Sequence, residues 1–274
     1  VLSLVGSEMC IRDSPKSNRK RLVAKPHPDR DIQFQYIQTQ RRAFEAAKWP
    51  IISVDTKKKE LVGDFKNSGQ VWCQAPEQVS VHDFPSDAVG RAVPYGIYDL
   101  QHNCGTIYVG QSADTPAFAV DNIAHWCRTE MPDRFPNAKH LMIEADCGGS
   151  NGYRSRVWKR DLQVKVADAL GLTITVCHYP TGTSKWNPIE HRVFSEISKT
   201  WAGCPLRSFD DIVHYICDTK TKTGLTVHAH FVTETYAKGV KVHEEEMDAL
   251  SIQSHHVCPQ WNYTIYPRST PHPT

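Results

Sequence analysis

Three acidic residues stand out by type and setting. Asp55 ends the run WPIISVD (49–55) and Asp146 ends KHLMIEAD (139–146), two short apolar stretches of the kind that form buried strands. Glu190 sits in NPIEHRVFSEISKTW, where Asn187 suits a helix cap and Pro188 its first turn. Counting on from Glu190 at helical spacing reaches Phe194, Ile197 and Trp201, so this carboxylate lies along the apolar stripe that must face a core. An acid held there is costly unless it is paired or bound to a metal, which makes Glu190 a functional candidate. Brought together, three carboxylates repel unless divalent cations neutralise them, and two-metal phosphoryl transfer needs such a cluster.

The elements that must position these acids follow from periodicity and turn signals. Asp31 to Ala47 predicts a helix with Phe34, Ile37 and Phe44 on its apolar side, leading into the Asp55 strand. A turn-rich polar stretch without clear period follows and predicts an irregular insertion. YGIYDL (95–100) and GTIYVG (105–110) predict an antiparallel hairpin. Thr115 and Pro116 open a helix with Val120, Ile123 and Cys127 inward; Asn151 to Leu170 predicts another, stopped by Gly171. LTITVCH (172–178) is a further strand, and the Glu190 helix comes after it. The class is α/β, and the order is that of a ribonuclease H-like mixed sheet flanked by helices, with a loop-rich insertion after the first strand. In such a sheet the first and fourth strands are neighbours, which places Asp55 and Asp146 at adjacent strand ends.

With these residues in view, VDTKKKELVG, EADCGGSNGYR, HYPTGTSKWNPIEHRVFS and QWNYTIYPR together resemble the ISAzo-thirteen-like, or Rhodopirellula-type, insertion-sequence transposases, a DDE family; NPIE alone also resembles the Tc/mariner group. The resemblance runs from about Asn18 to Arg268. It implies that Asp55, Asp146 and Glu190 are catalytic and hold two Mg2+ ions, with Mn2+ able to substitute. It also implies cleavage and strand transfer of double-stranded DNA, with transposon ends and target DNA as partners and a homo-oligomer as a possible assembly. Family members more often carry Gly where this chain has Cys147, and the family's N-terminal helix-turn-helix region is not represented. Two rivals share the acids: a ribonuclease H-type nuclease or junction resolvase, which hydrolyses only, and a catalytically inactive DNA-binding remnant.

Around the acids, Lys57, Lys58 and Lys59 follow Asp55, and Lys185, His191 and Arg192 surround Glu190, a collection of charge suited to phosphates or simply to a solvated loop. Ser150 and Asn151 follow the second acid on a Gly-rich turn, where they can touch phosphate or orient Asp146; helix capping explains Asn151 equally well. Trp186 reads as a loop anchor in preference to a base-stacking platform. Asp83, Asp99, Asp114, Glu144 and Glu196 lack a matching context and read as caps, turns or surface charges. The histidines of His228-Ala-His230 and His255-His256-Val-Cys258 read as surface or loop residues.

Composition sets the outer bounds. With 274 residues, 40% hydrophobic and 23% charged, the chain is an ordinary globular protein, and a net charge of +2 leaves any nucleic-acid argument to local patches. Nine scattered cysteines without a C-x-x-C pair fit reduced thiols, and no apolar run spans a membrane at a mean hydropathy of −0.47; the expected location is the cytoplasm. The opening VLSLVGSEMCIRDS resembles translated sequencing-adaptor read-through, so the expected organisation is a non-native 1–14, a basic linker and helix 15–47 carrying Lys16, Arg19, Lys20, Arg21 and Lys25, a catalytic domain 48–268 and a tail 269–274.

Overall fold

The computed structural model describes residues 27–268. The expected read-through segment, the basic linker with its five cations, and the tail from 269 lie outside the described residues. Strands β1 (Ile51–Thr56), β2 (Glu60–Val62), β3 (Gly90–Asp99), β4 (Cys104–Gly110), β5 (His140–Ala145), β6 (Thr173–His178), β7 (Thr226–Val232), β8 (Ile252–Ser254) and β9 (Asn262–Ile265) form one nine-stranded sheet. Its order is β7-β4-β3-β1-β5-β6-β9-β8, with β2 paired to β3. The antiparallel meander β1-β3-β4 joins the parallel strands β5 and β6 through the β1–β5 pair. That is the ribonuclease H-like arrangement, with the first long strand beside the fourth.

The helices cover both faces. Helix α1 (Arg30–Ala46) precedes β1; α2 (Pro116–Thr129) lies between β4 and β5, with a single turn at Met131–Arg134 after it. Helix α3 starts as Arg156–Asp161 and continues as π-helical turns over Leu162–Asp168; its cap is Ser155, whose hydroxyl accepts from the Trp158 amide, and not Asn151. Helix α4 begins as a π-helical turn, Glu190–Phe194, and becomes α-helical over Ser195–Thr200. Helices α5 (Phe209–Cys217) and α6 (Glu244–Asp248) complete the set. Thr115 caps α2 as its sequence predicts, accepting from the Phe118 amide at 3.2 Å.

Period-two alternation sorts the strands into two faces. Ile52 and Val54 of β1 and Leu141, Ile143 and Ala145 of β5 join Phe118, Trp126 and Trp158 beneath α2 and α3. The alternate residues face the other way. There Ile51 and Met142 pack with Ile37 and Phe44 of α1, and Tyr98, Ile107 and Val109 pack under Val193, Phe194 and Ile197 of α4 and Ile212 and Ile216 of α5. Ser53, Asp55, Glu144 and Asp146 share the parity of this second face. All three candidate acids therefore lie on the side covered by α1, α4 and α5.

Candidate active site

Asp55 is one residue from the end of β1, and Asp146 follows the last residue of β5, so the parallel pairing of these strands brings the two to one sheet edge. Glu190 arrives from above on the first turn of α4. Its approach depends on Gly96, which lies opposite Asp55 in the β1–β3 register. A methyl group at Gly96 would stand 2.6 Å from both Ile189 Cδ1 and Phe194 Cε1, so glycine is what lets α4 settle onto the strand.

Electrostatics tie the three carboxylates together. Burial first, then the charge of Asp146, push Asp55 up to about 8 from its ordinary 3.8, and Glu190 adds its charge and a carboxyl–carboxyl hydrogen bond. Burial and the charge of Glu190 push Asp146 up to about 6. No Lys, Arg or His among the described residues forms an ion pair with any of the three. Among the described residues no three His, Cys, Asp or Glu side chains close into a ready-made metal cage. The donor set nonetheless fits hard divalent cations, because three neighbouring carboxylates offer oxygen ligands and have no Lys, Arg or His ion-pair partner among the described residues.

Two residues that sequence periodicity does not single out hold the site. Asn187, fully buried, does not cap its helix with its side chain; its Nδ2 donates to the Val54 carbonyl at 3.1 Å and reaches Asp146 Oδ1 at 3.5 Å. Its Oδ1 accepts from the Ser53 hydroxyl, which in turn accepts from the Ile189 amide at 3.1 Å. This clamp fastens the start of α4 to β1 and β5. The tetrapeptide NPIE carried the signal for Asn187; nothing local marks Ser53.

The expected phosphate contacts separate into two groups. Lys57 is only 8% exposed, paired with Glu60 at 3.2 Å and set over the Trp201 ring, so in this arrangement it is turned from solvent. Lys59 pairs with Asp114 at 3.3 Å, and Lys58 is 83% exposed. Lys185, His191 and Arg192 are exposed around Glu190. Asn151 is buried and accepts from the Tyr95 hydroxyl at 2.9 Å, while Ser150 meets Thr56 at 3.2 Å, so both brace β1 and β3 from within. Trp186 rests edge-on to Phe34 of α1 with Arg30 over its face.

Glu144 corrects an expectation: it is not a surface charge but fully buried, gripped by the Arg41 guanidinium through both oxygens and by the Tyr179 hydroxyl at 2.7 Å. Asp99 is also buried, and it is a turn residue, accepting from the amides of Gln101 and His102. On β7, His230 stacks on Tyr108, and His255 hydrogen-bonds Tyr36.

Residues 14–267 match the model of the Rhodopirellula transposase DDE domain, and the chain belongs to that family. No curated protein matches the chain. Among solved structures it is similar to a Mos1 transposase paired-end complex with the left transposon end, at 11% identity and a TM-score of 0.46, covering 74% of this chain and 58% of that one. A Mos1 mariner paired-end complex with Mn gives 11% identity and a TM-score of 0.44, covering 77% and 60%. A pre-cleavage Mos1 transpososome gives 10% and 0.46. The chain thus spans less than two thirds of the length of these structures' chains. Among the described residues no helix is long and apolar enough to cross a membrane.

Proposed function

We propose that this chain is the catalytic domain of a DDE transposase, in which Asp55, Asp146 and Glu190 hold two Mg2+ ions, replaceable by Mn2+, and act on the double-stranded DNA of transposon ends and target. The observation that carries this reading is the convergence of three uncompensated carboxylates on one edge of a ribonuclease H-like sheet, in a chain of a transposase family. Bound metal would supply Lewis acidity, lowering the pKa of the attacking water and stabilising the departing oxygen.

The chain's own residues set the stage for two displacements at phosphorus. In the first, water attacks a phosphodiester at the transposon end and the 3′-oxygen leaves as a hydroxyl. In the second, that hydroxyl attacks a phosphodiester of the target, whose 3′-oxygen leaves in turn. Neither step needs a covalent enzyme intermediate. The Ser53–Asn187 clamp keeps the Asp146 and Glu190 elements in register with Asp55. Exposed Lys58, Lys185, His191 and Arg192 ring this edge and suit the phosphates of a bound duplex. The working place is the cytoplasm, and the working unit is a homo-oligomer.

The test is a nicking and strand-transfer assay on end-containing duplex with Mg2+, Mn2+ or Ca2+. Asp55→Ala, Asp146→Ala and Glu190→Ala are each expected to abolish both products while circular dichroism stays unchanged. Retention of more than a few per cent activity by a folded Glu190→Ala variant overturns its assignment. Hydrolysis without strand transfer identifies a nuclease, and inactivity of the unaltered chain with all metals identifies a remnant.

A further inference from the structure

A chain of buried polar groups reaches Asp146 from the opposite face of the sheet. His178, the last residue of β6, is fully buried; its Nδ1 lies 2.8 Å from the Asp146 carbonyl oxygen and its Nε2 3.2 Å from the Tyr263 hydroxyl. The Tyr263 oxygen accepts the indole N–H of Trp158 at 2.9 Å. An indole nitrogen only donates and a carbonyl oxygen only accepts, so the two ends fix the direction of the whole chain. Trp158 donates to Tyr263, Tyr263 donates its proton to Nε2 of His178, and Nδ1–H of His178 donates to Asp146.

The backbone of His178 is held as firmly as its ring. Gln33 of α1 donates to the His178 carbonyl at 2.8 Å, and the His178 amide donates to the Trp261 carbonyl at 2.9 Å. Gln33 itself is locked by reciprocal bonds with Asn262 at 2.8 and 2.6 Å. Asp146, in contrast, has left the ladder, since the last β5–β6 pair is Ala145 with His178. It leads into Gly148 and Gly149, a turn around which a Cβ would meet no heavy atom within 4 Å. Other ties nearby are the Cys147 thiol, which donates to the Tyr179 carbonyl at 2.8 Å, and Asn187 Nδ2, which reaches the Asp146 carboxylate only at 3.5 Å. A ligand at the start of an open glycine turn has to be aimed from elsewhere, and fully satisfied buried networks specify one arrangement.

Resting on the assignment of Asp146 as a metal ligand, we propose that His178, oriented by Tyr263 and Trp158, is a positioning residue that fixes the Asp146 backbone and so aims its carboxylate. His178 touches neither metal nor DNA; it acts through Asp146 alone. Groups that orient a ligand typically matter by roughly ten- to a hundredfold in metal affinity when removed.

The experiment titrates the full chain with Mn2+ alone and reads affinity by calorimetry or electron paramagnetic resonance. Asp146→Asn is expected to weaken binding at least tenfold. His178→Phe removes the donor and is expected to weaken it roughly tenfold, within the range seen for orienting groups. His178→Asn, whose amide nitrogen falls near the place of Nδ1, is expected to restore most of that loss. Tyr263→Phe, which deletes one oxygen and releases the ring to choose its tautomer, is expected to weaken binding several-fold and carries the test if His178→Phe fails to fold. A folded His178→Phe or Tyr263→Phe variant within twofold of the unaltered protein, beside a weakened Asp146→Asn, overturns the positioning role and leaves the metal reading standing. If Asp146→Asn itself binds Mn2+ as well as the unaltered chain, the ligand assignment fails and the positioning role falls with it.

Discussion

The two faces of the sheet follow different rules. Beneath α2 and α3 the face is mostly apolar, with Ile52, Val54, Ile143, Phe118 and Trp126 closed to solvent, and its buried polar groups, such as the Trp158–Tyr263–His178 chain and Asn151, are hydrogen-bonded. Beneath α1 and α4 the same strands bury Ser53, Glu144 and Asn187 and crowd Asp55, Asp146 and Glu190 together. One face supplies stability; the other holds charge that has to be answered by Arg41, by a hydroxyl–amide clamp or, at the acids, by a cation from outside.

Substitutions can break this contrast in order of effect. On the apolar face, Phe118→Ala is expected to cost about 3–5 kcal/mol in denaturant unfolding, because Phe118 is 1% exposed and wedged between Tyr95 and Tyr236. On the polar face, Arg41→Ala is expected to cost roughly 3 kcal/mol by the same measurement, since it strands the Glu144 carboxylate in the core with only Tyr179 as partner. Gly96→Ala joins the two faces' concerns. Its methyl collides with Ile189 and Phe194, so overpacking is expected to cost about 1–3 kcal/mol and to lift Glu190 away, with strand cleavage falling further than stability.

Asp55→Asn has the opposite sign and the smallest size. The folded-state values of Asp55 and Asp146 lie above the ordinary 3.8, so the proton is bound more tightly in the folded chain. The associated stability is fully present below about pH 4 and is lost as pH rises through about 6 and about 8. Metal-free protein is therefore expected to melt at progressively lower temperature over that window, and Asp55→Asn to flatten the decline and gain on the order of 1 kcal/mol at its upper end. Divalent-metal affinity should move the other way, rising over the same window as the competing protons leave. A melting temperature independent of pH across the window would show that the acids do not repel.

Much of this was legible in the sequence where the determinants are local. A strand with an acid within one residue of its end, Thr115-Pro116 opening a helix, and a short polar turn between two apolar runs are each settled within a few residues, and the structure bears them out. The rest depends on residues far apart in the chain. Glu144 reads as a surface charge until Arg41 is folded against it, and Asn187 reads as a cap until Ser53 offers its side chain a better partner. No periodicity announces β7, whose place beside β4 is fixed only by tertiary pairing, nor the opening of α4 as a π-helical turn.

That turn has a consequence for chain length. Glu190–Phe194 is wound with one more residue per hydrogen-bonded turn than the α-helical remainder of its element. Removing any one residue between 190 and 194 would let the segment relax to regular winding with Phe194, Ile197 and Trp201 still seated. Because the wide turn already holds the extra residue, its loss would turn Glu190 about the axis by only a fraction of the about 100° that separates α-helical neighbours, keeping it near the edge where Asp55 and Asp146 lie. An added residue, by contrast, has no wider turn left to enter and would carry Glu190 around the axis by about one α-helical step.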